Sequence, residues 1–341
     1  MALLSTGFLF RNPYYLQKRI GEFMNLHENK RLFADAVLAA SEQLGMSPVY
    51  VEKDYWVTRS LKFIAKSSIA GDVVLKGETS LSKGYKIGKR FSEDIDIAVC
   101  NSNITTGNRL KTLMKKIAKE MTFGMEETDL PGVTSKGSRY YKAIYTYPNV
   151  LGKAGSRAEN IGQLMVKVNG FSNPRQYVSK DIECFIGVFL RTIGNKDIIE
   201  NYGLEPFALN ILDKRQTLIE KLAALVRFSF SDNYIYDIAA RIRHFYDLHF
   251  LLQEKECKAY VKSGQFSADF TSLLEHDREI FDKPGGWNSR ELGESPLFTE
   301  FTGMWDTLRE TYKRELPAIT FSEIPQENDV AESFKSILNM L

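Results

Sequence analysis

The sequence predicts an α+β, mixed α/β N-terminal lobe built on a mixed sheet, followed by a helical C-terminal lobe. Two patterns carry that expectation. Up to about residue 212, short runs rich in β-branched and aromatic residues alternate with stretches whose apolar residues recur at helical spacing. Beyond residue 212 the helical spacing is nearly continuous, interrupted by one Gly/Pro-rich segment at 282–296 (DKPGGWNSRELGESP). There is no internal repeat and no low-complexity tract.

Residues 29–45 (NKRLFADAVLAASEQLG) read as a helix that ends on Gly45, a suitable C-cap. Residues 49–66 (VYVEKDYWVTRSLKFIAK) read as a second helix. Gly71-Asp72 then lead into Val73-Val74-Leu75, a short strand, and KGETSLSK at 76–83 reads as a turn entering a helix. Residues 95–99 (IDIAV) form the next expected strand. Residues 108–121 (NRLKTLMKKIAKEM) form an amphipathic helix with its lysines outward. Residues 139–147 and 163–171 have strand composition around a Gly/Pro/Asn-rich loop at 148–162. Long helices are expected at 214–228 and 235–252. The natural division is therefore 24–212 and 213–341, and a cleft between two lobes is a common place for a ligand.

The 341 residues suffice for two domains, and the 43% hydrophobic fraction suits a globular core. A net charge of +2 does not announce a nucleic-acid binder, although it leaves room for a local basic patch. Cys100, Cys184 and Cys257 are far apart and outside CxxC spacing, which points to reduced thiols and a cytoplasmic protein. No apolar stretch approaches the roughly 18–20 residues of a membrane span. The opening MALLSTGFLF lacks a basic n-region and a cleavage site, so no signal peptide is expected. Gly21-Glu22-Phe23-Met24 back-translates as a ribosome-binding site before a start codon. On that reading residues 1–23 are an upstream extension.

The chemistry begins with Asp94 and Asp96. Two apart on a strand, they share one face, with Ile95 and Ile97 on the other. Adjacent carboxylates repel unless a cation sits between them. Magnesium suits such a pair, because it takes few carboxylates and completes its shell with water and phosphate oxygens. Two solvated aspartates at a strand end would look the same in isolation. Upstream, Lys76-Gly77-Glu78-Thr79-Ser80 forms a strand-to-helix turn. Gly77 would let a phosphate approach the backbone, and the hydroxyls of Thr79 and Ser80 can cap the helix or bond a phosphate. The conjunction of turn, strand and paired aspartates favours a triphosphate clamped between metal and amide donors.

These residues carry a family resemblance. The order G-x-T-S…R-F-S-E-D-I-D-I resembles the polymerase-β-like nucleotidyltransferases. It is more closely similar to the AbiEii/AbiGii toxins of bacterial abortive-infection and toxin–antitoxin systems. The matching pieces are VEKDYWVT at 51–58, LKGETSLSKGY at 75–85, KRFSEDIDI at 89–97, TLIEKLAAL at 217–225 and RIRHFYDLHFLL at 241–252. The resemblance implies a polymerase-β-like N-terminal lobe and transfer of a nucleotide from a nucleoside triphosphate, in some relatives onto tRNA. It also implies an antitoxin partner encoded alongside and a role in phage defence. Asp94 and Asp96 would bind Mg2+ (or Mn2+). Lys221 would act on the nucleotide, and Lys76, Gly77, Thr79, Ser80 and Ser92 would line its phosphates. Two departures stand out. Glu78 replaces the second glycine usual in the turn. Asn169 falls where the strand 163–171 often carries a third acid, and Asn cannot serve as a base at neutral pH.

Other residues admit two readings. Lys221 shares a helix face with Leu218 and Leu225, so it either snorkels to solvent or meets an anion. Asp237, Arg241, His244 and Asp247 form a stripe on one expected helix. The stripe is a solvated ion-paired face by spacing, whereas the resemblance points Arg241 and Asp247 at the nucleotide. Lys83, Lys86, Lys89 and Arg90 cluster between the turn and the aspartates, with Lys83 and Arg90 the better nucleotide ligands. Glu52, Lys53 and Asp54 precede the core aromatics Tyr55-Trp56, and Lys53 and Asp54 are candidates to brace the metal site. Trp287 is more simply buried than stacked on a base. The leading expectation is transfer to an RNA hydroxyl, tRNA included. The rivals are transfer to a protein or small molecule, and a nucleotide-binding module with weak catalysis.

Overall fold

In a computed structural model the chain is described over residues 25–92, 94–100, 107–151, 162–172, 174 and 176–341. The expected extension 1–23 and the start at Met24 lie outside these residues. The chain opens with α1 (Lys30–Leu44) and α2 (Pro48–Ala65). Asn29 caps α1 by accepting from the Leu32 amide at 3.1 Å, and Gly45 ends it in the left-handed region. Pro48 starts α2 at the first turn, where its missing N–H costs nothing.

The first lobe continues with β1 (Val73–Lys76), the one-turn helix α3 (Gly77–Thr79), β2 (Asp94–Val99) and α4 (Gly107–Met121). It is completed by β3 (Glu126–Thr128), β4 (Ser135–Lys136), β5 (Tyr140–Thr146), β6 (Gln163–Asn169), β7 (Tyr177–Ile182), α5 (Phe185–Thr192), α6 (Lys196–Asn201) and β8 (Phe207–Leu212). The strands form one mixed sheet in the order β3-β5-β6-β2-β1-β8-β7, with β4 on β5. β2 is central, antiparallel to β1 and parallel to β6. Ile95 and Ile97 are fully buried in the core that joins one face of the sheet to α1, α2, α4 and α5. Asp94 and Asp96 therefore emerge on the opposite face.

The helical lobe comprises α7 (Lys214–Ser229), α8 (Tyr234–Ala239), α9 (Ile242–Gln253), α10 (Lys255–Val261), α11 (Gly264–Ile280), α12 (Pro296–Thr299), α13 (Phe301–Ile319) and α14 (Glu327–Leu338). It has its own apolar core, and Leu81 and Ile87 from the β1–β2 connection are part of it. That connection runs on from α3 as a π-type turn, Ser80–Tyr85, so one short segment plugs into the second core while its start borders β2. The end of α13 returns to the same segment. Phe91 N–H donates to Ile319 O at 2.7 Å, and Phe321 N–H to Lys89 O at 3.0 Å.

The single helix expected over 235–252 is two helices. Arg241 leaves helical geometry at φ −115°, ψ 19°, and α9 starts after it. Its guanidinium instead lies over the Phe228 ring, 3.1 Å from the centroid, and donates to Asp237 O at 2.6 Å. The stripe from Asp237 to Asp247 is thus split, and Arg241 turns away from Asp247's partners.

Candidate active site

Strand alternation sets the two carboxylates side by side, and the structure adds a third group between them. Lys167 on β6 pairs in register with Asp96. Its ammonium lies 2.6 Å from Asp94 Oδ2 and 3.9 Å from Asp96 Oδ1. The aspartate side chains stay 34% and 28% exposed, so solvent and a ligand can reach them. Burial raises the Asp96 pKa; Lys167 pulls it back and Asp94 adds to the rise. Burial alone would lower the Lys167 pKa, but Asp96 and then Asp94 outweigh it and the net shift is upward. One ammonium leaves the pair with an excess negative charge, as a divalent-ion site requires.

Gly77 closes one side of the pair. It sits at φ +69°, and a Cβ there would lie 2.9 Å from Asp96 Oδ2. Glycine is thus required twice, for its backbone angle and for the approach of Asp96. The hydroxyls expected on phosphate are engaged locally. Ser80 donates to Gly77 O at 2.7 Å. Thr79 Oγ1 lies 2.5 Å from Asp94 O and 2.8 Å from Ser92 Oγ, and Ser92 is itself buried. Thr79 and Ser92 brace the turn against the first residue of β2, and Ser80 closes the turn on itself. Lys76, the last residue of β1, bonds Ser172 Oγ at 2.8 Å and pairs with Glu220 of α7 at 2.8 Å, which ties sheet to helical lobe beside the carboxylates.

Next to the turn lies a buried ionic cluster. Arg90 bonds both oxygens of Asp247, at 2.8 and 2.7 Å, and Glu78 at 2.5 Å. Lys221 reaches Asp247 Oδ2 at 2.6 Å. Glu78, which departs from the expected glycine, is turned to Arg90. The charge of Arg90 outweighs the burial cost and holds its carboxyl well below the usual range. Asp247 is lowered in the same way, by Arg90 and then Lys221 against its burial. His244 is held neutral, its pKa brought down to about 3 by burial and then by Lys221. Glu78, His244 and Asp247 bring ligand atoms within 4.8 Å of one another. Arg90 and Lys221 already balance both carboxylates there, so a divalent ion would meet two cations. The Asp94/Asp96 pair is the better metal site.

The structure therefore brings together Asp94, Asp96, Gly77, Thr79, Ser80, Ser92 and Lys76 around the turn, with Arg90, Asp247 and Lys221 in the adjoining cluster. It does not bring Lys83 or Arg241 there. Lys83 is buried, 2.6 Å from Asp54 and 3.1 Å from Glu183 O, because Asp54 also accepts from the Phe185 amide at the start of α5. Asp54 thus braces α5 rather than the carboxylate pair. Arg90 reaches the site as a bracket, its guanidinium spent on carboxylates. Trp287 is buried, donating to Phe281 O at 2.8 Å. Asn169 pairs in register with Ala98 and accepts from the Ser172 amide at 3.3 Å, so the residue of β6 beside the acidic pair is Lys167. Lys167 and Glu220 escaped the sequence reading. Only the pairing register could have exposed Lys167.

The AbiEii family, described as nucleotidyl transferase AbiEii toxin of a type IV toxin–antitoxin system, matches residues 60–339. The chain belongs to the AbiEii family. It is accordingly a nucleotidyltransferase of toxin type, and the type IV system implies a nucleoside triphosphate substrate and an antitoxin partner. Among solved structures, this AbiEii protein is similar to MenT4, a nucleotidyltransferase toxin from Mycobacterium tuberculosis. The identity is 16%, the TM-score 0.50, and the match covers 89% of each chain. That likeness establishes the shared fold. No curated protein sequence matches the chain significantly. Among the described residues no helix is long and apolar enough to cross a membrane.

Proposed function

We propose that this AbiEii protein transfers a nucleoside monophosphate from a triphosphate to an RNA hydroxyl, with tRNA the first acceptor to test, in a reaction that depends on Mg2+ (or Mn2+). The observation that carries the reading is the convergence of two open carboxylates on the glycine turn, with Asp96 against Gly77. Asp94 and Asp96 would hold the ion, whose chemistry is to neutralise charge on the triphosphate oxygens. Gly77 leaves room for a phosphate to approach the backbone. Besides Lys167, which stands on the carboxylate pair, Lys76 and Lys221 are the cations that would meet the triphosphate. Each would exchange a carboxylate partner, Glu220 or Asp247, for phosphate oxygens. The acceptor oxygen bonds to the α-phosphorus, pyrophosphate leaves with its bridging oxygen, and the hydroxyl proton passes to solvent water.

Mass spectrometry of total tRNA after incubation with protein, Mg2+ and each triphosphate tests the acceptor and the base together. The expected result is a mass increase of one nucleotide that vanishes with EDTA. Unmodified tRNA alongside labelled lysate protein or a labelled small alcohol would move the acceptor to that class. A cytoplasmic location, an antitoxin gene beside this one and a role in phage defence are proposed with the same reading.

A further inference from the structure

The register across the centre of the sheet lines up Lys76, Asp96, Lys167 and Lys142 on β1, β2, β6 and β5. Residues paired in register share a face, so one row of side chains crosses the site with a single carboxylate among three lysines. The β6 side chains on that face are Gln163, Met165, Lys167 and Asn169, none acidic. Lys142 stands directly opposite Lys167, and like charges so placed repel. The Lys167 ammonium lies on its other side, with Asp94 and Asp96.

We propose that Lys167 is a resident cation of the carboxylate pair, standing where a second divalent ion would sit, so that the site takes one metal ion. The inference rests on Asp94 and Asp96 being metal ligands. Two-metal sites hold their ions about 3.5–4 Å apart and need enough anionic ligands to offset four positive charges. Here two carboxylates face an ammonium already in place, and a second divalent ion would leave the site strongly cationic before any substrate entered. One ion needs no more than two carboxylates plus water and phosphate oxygens. Lys167 then supplies, as a fixed point charge on the sheet, the positive charge a second ion would bring.

The test counts ions directly. The full chain, stripped of metal, is titrated with Mn2+ alone while free Mn2+ is read by electron paramagnetic resonance. The wild type is expected to bind one ion that Asp96→Asn removes. Lys167→Met is expected to bind one ion about tenfold more tightly, because a repelling charge has gone. Lys167→Glu, checked for folding by circular dichroism, is expected to bind two. Two wild-type ions that are both lost in Asp96→Asn would overturn the proposal and leave the metal reading intact. So would unchanged affinity in Lys167→Met, or a single ion in folded Lys167→Glu. Absence of Mn2+ from the wild type and from Lys167→Met alike would overturn the metal reading and the proposal with it.

Discussion

Asp94 and Asp96 are placed by strand alternation, but their chemistry is set by what stands around them. Lys167 balances one charge and leaves the pair net negative, while Ile95 and Ile97 anchor the strand from behind. Asp96→Asn keeps the shape and removes a ligand charge. Transfer should fall by about a thousandfold, the several kcal/mol expected of a lost metal contact. The thermal midpoint should hold or rise, since one repelling carboxylate is gone. Labelled-nucleotide transfer and calorimetry on the same preparation check both halves. Lys221 is a separate case. Its helix face predicts burial, and the structure resolves the cost by pairing it with Asp247 rather than with solvent.

At the scale of elements, the device is the turn between β1 and α3. A glycine at φ +69° lets the chain reverse beneath Asp96, the Ser80 hydroxyl closes that reversal on Gly77 O, and the hydroxyls of Thr79 and Ser92 lock it to β2. Gly77→Ala would force a side chain to within 2.9 Å of Asp96 Oδ2 in a backbone region costly for L-residues. Stability should drop by about 1–2 kcal/mol, and transfer by about tenfold to a hundredfold through displacement of the carboxylate. Urea unfolding and steady-state transfer separate the two effects. The helices that flank the sheet were legible because capping and periodicity are local, as Asn29 and Gly45 show for α1. The break at Arg241 was not, because no glycine or proline marks it. It coincides with a ring contact to Phe228 that only the folded chain creates.

At the scale of the whole molecule, Arg90 joins the β1–β2 connection to α9 through Asp247, and α13 returns to the same segment. Removing one partner of such a buried pair leaves an uncompensated charge. Arg90→Met should therefore cost about 3–5 kcal/mol in chemical unfolding. The histidines give the fold a pH limit. His27 shares a hydrogen bond of 2.8 Å with the Tyr55 hydroxyl, and its ring lies tilted against Trp56 at a centroid distance of 4.4 Å. Burial, then Arg59, brings its pKa down to about 4. The native state therefore refuses a proton that the unfolded chain takes below about pH 6.5. Stability should fall as pH drops from about 6.5 to about 4, with His244 acting in the same direction. Unfolding of wild type and His27→Gln at pH 7.5 and pH 5 should show a loss that is smaller in the variant by about 1–2 kcal/mol.

The sequence by itself determined the helices α1, α2, α4 and α7, the strands β1, β2, β5 and β6, the shared face of Asp94 and Asp96, and the glycine beside them, because each follows from neighbours within a few positions. Tertiary structure decided which charges meet. Lys167 beside Asp96, Glu220 on Lys76, Glu78 and Asp247 on Arg90, and Lys83 drawn off to Asp54 all join segments distant along the chain. Strand register and helix docking fix those meetings. A side chain's sequence neighbours do not reveal which counter-charge will lie within 3 Å once water is excluded.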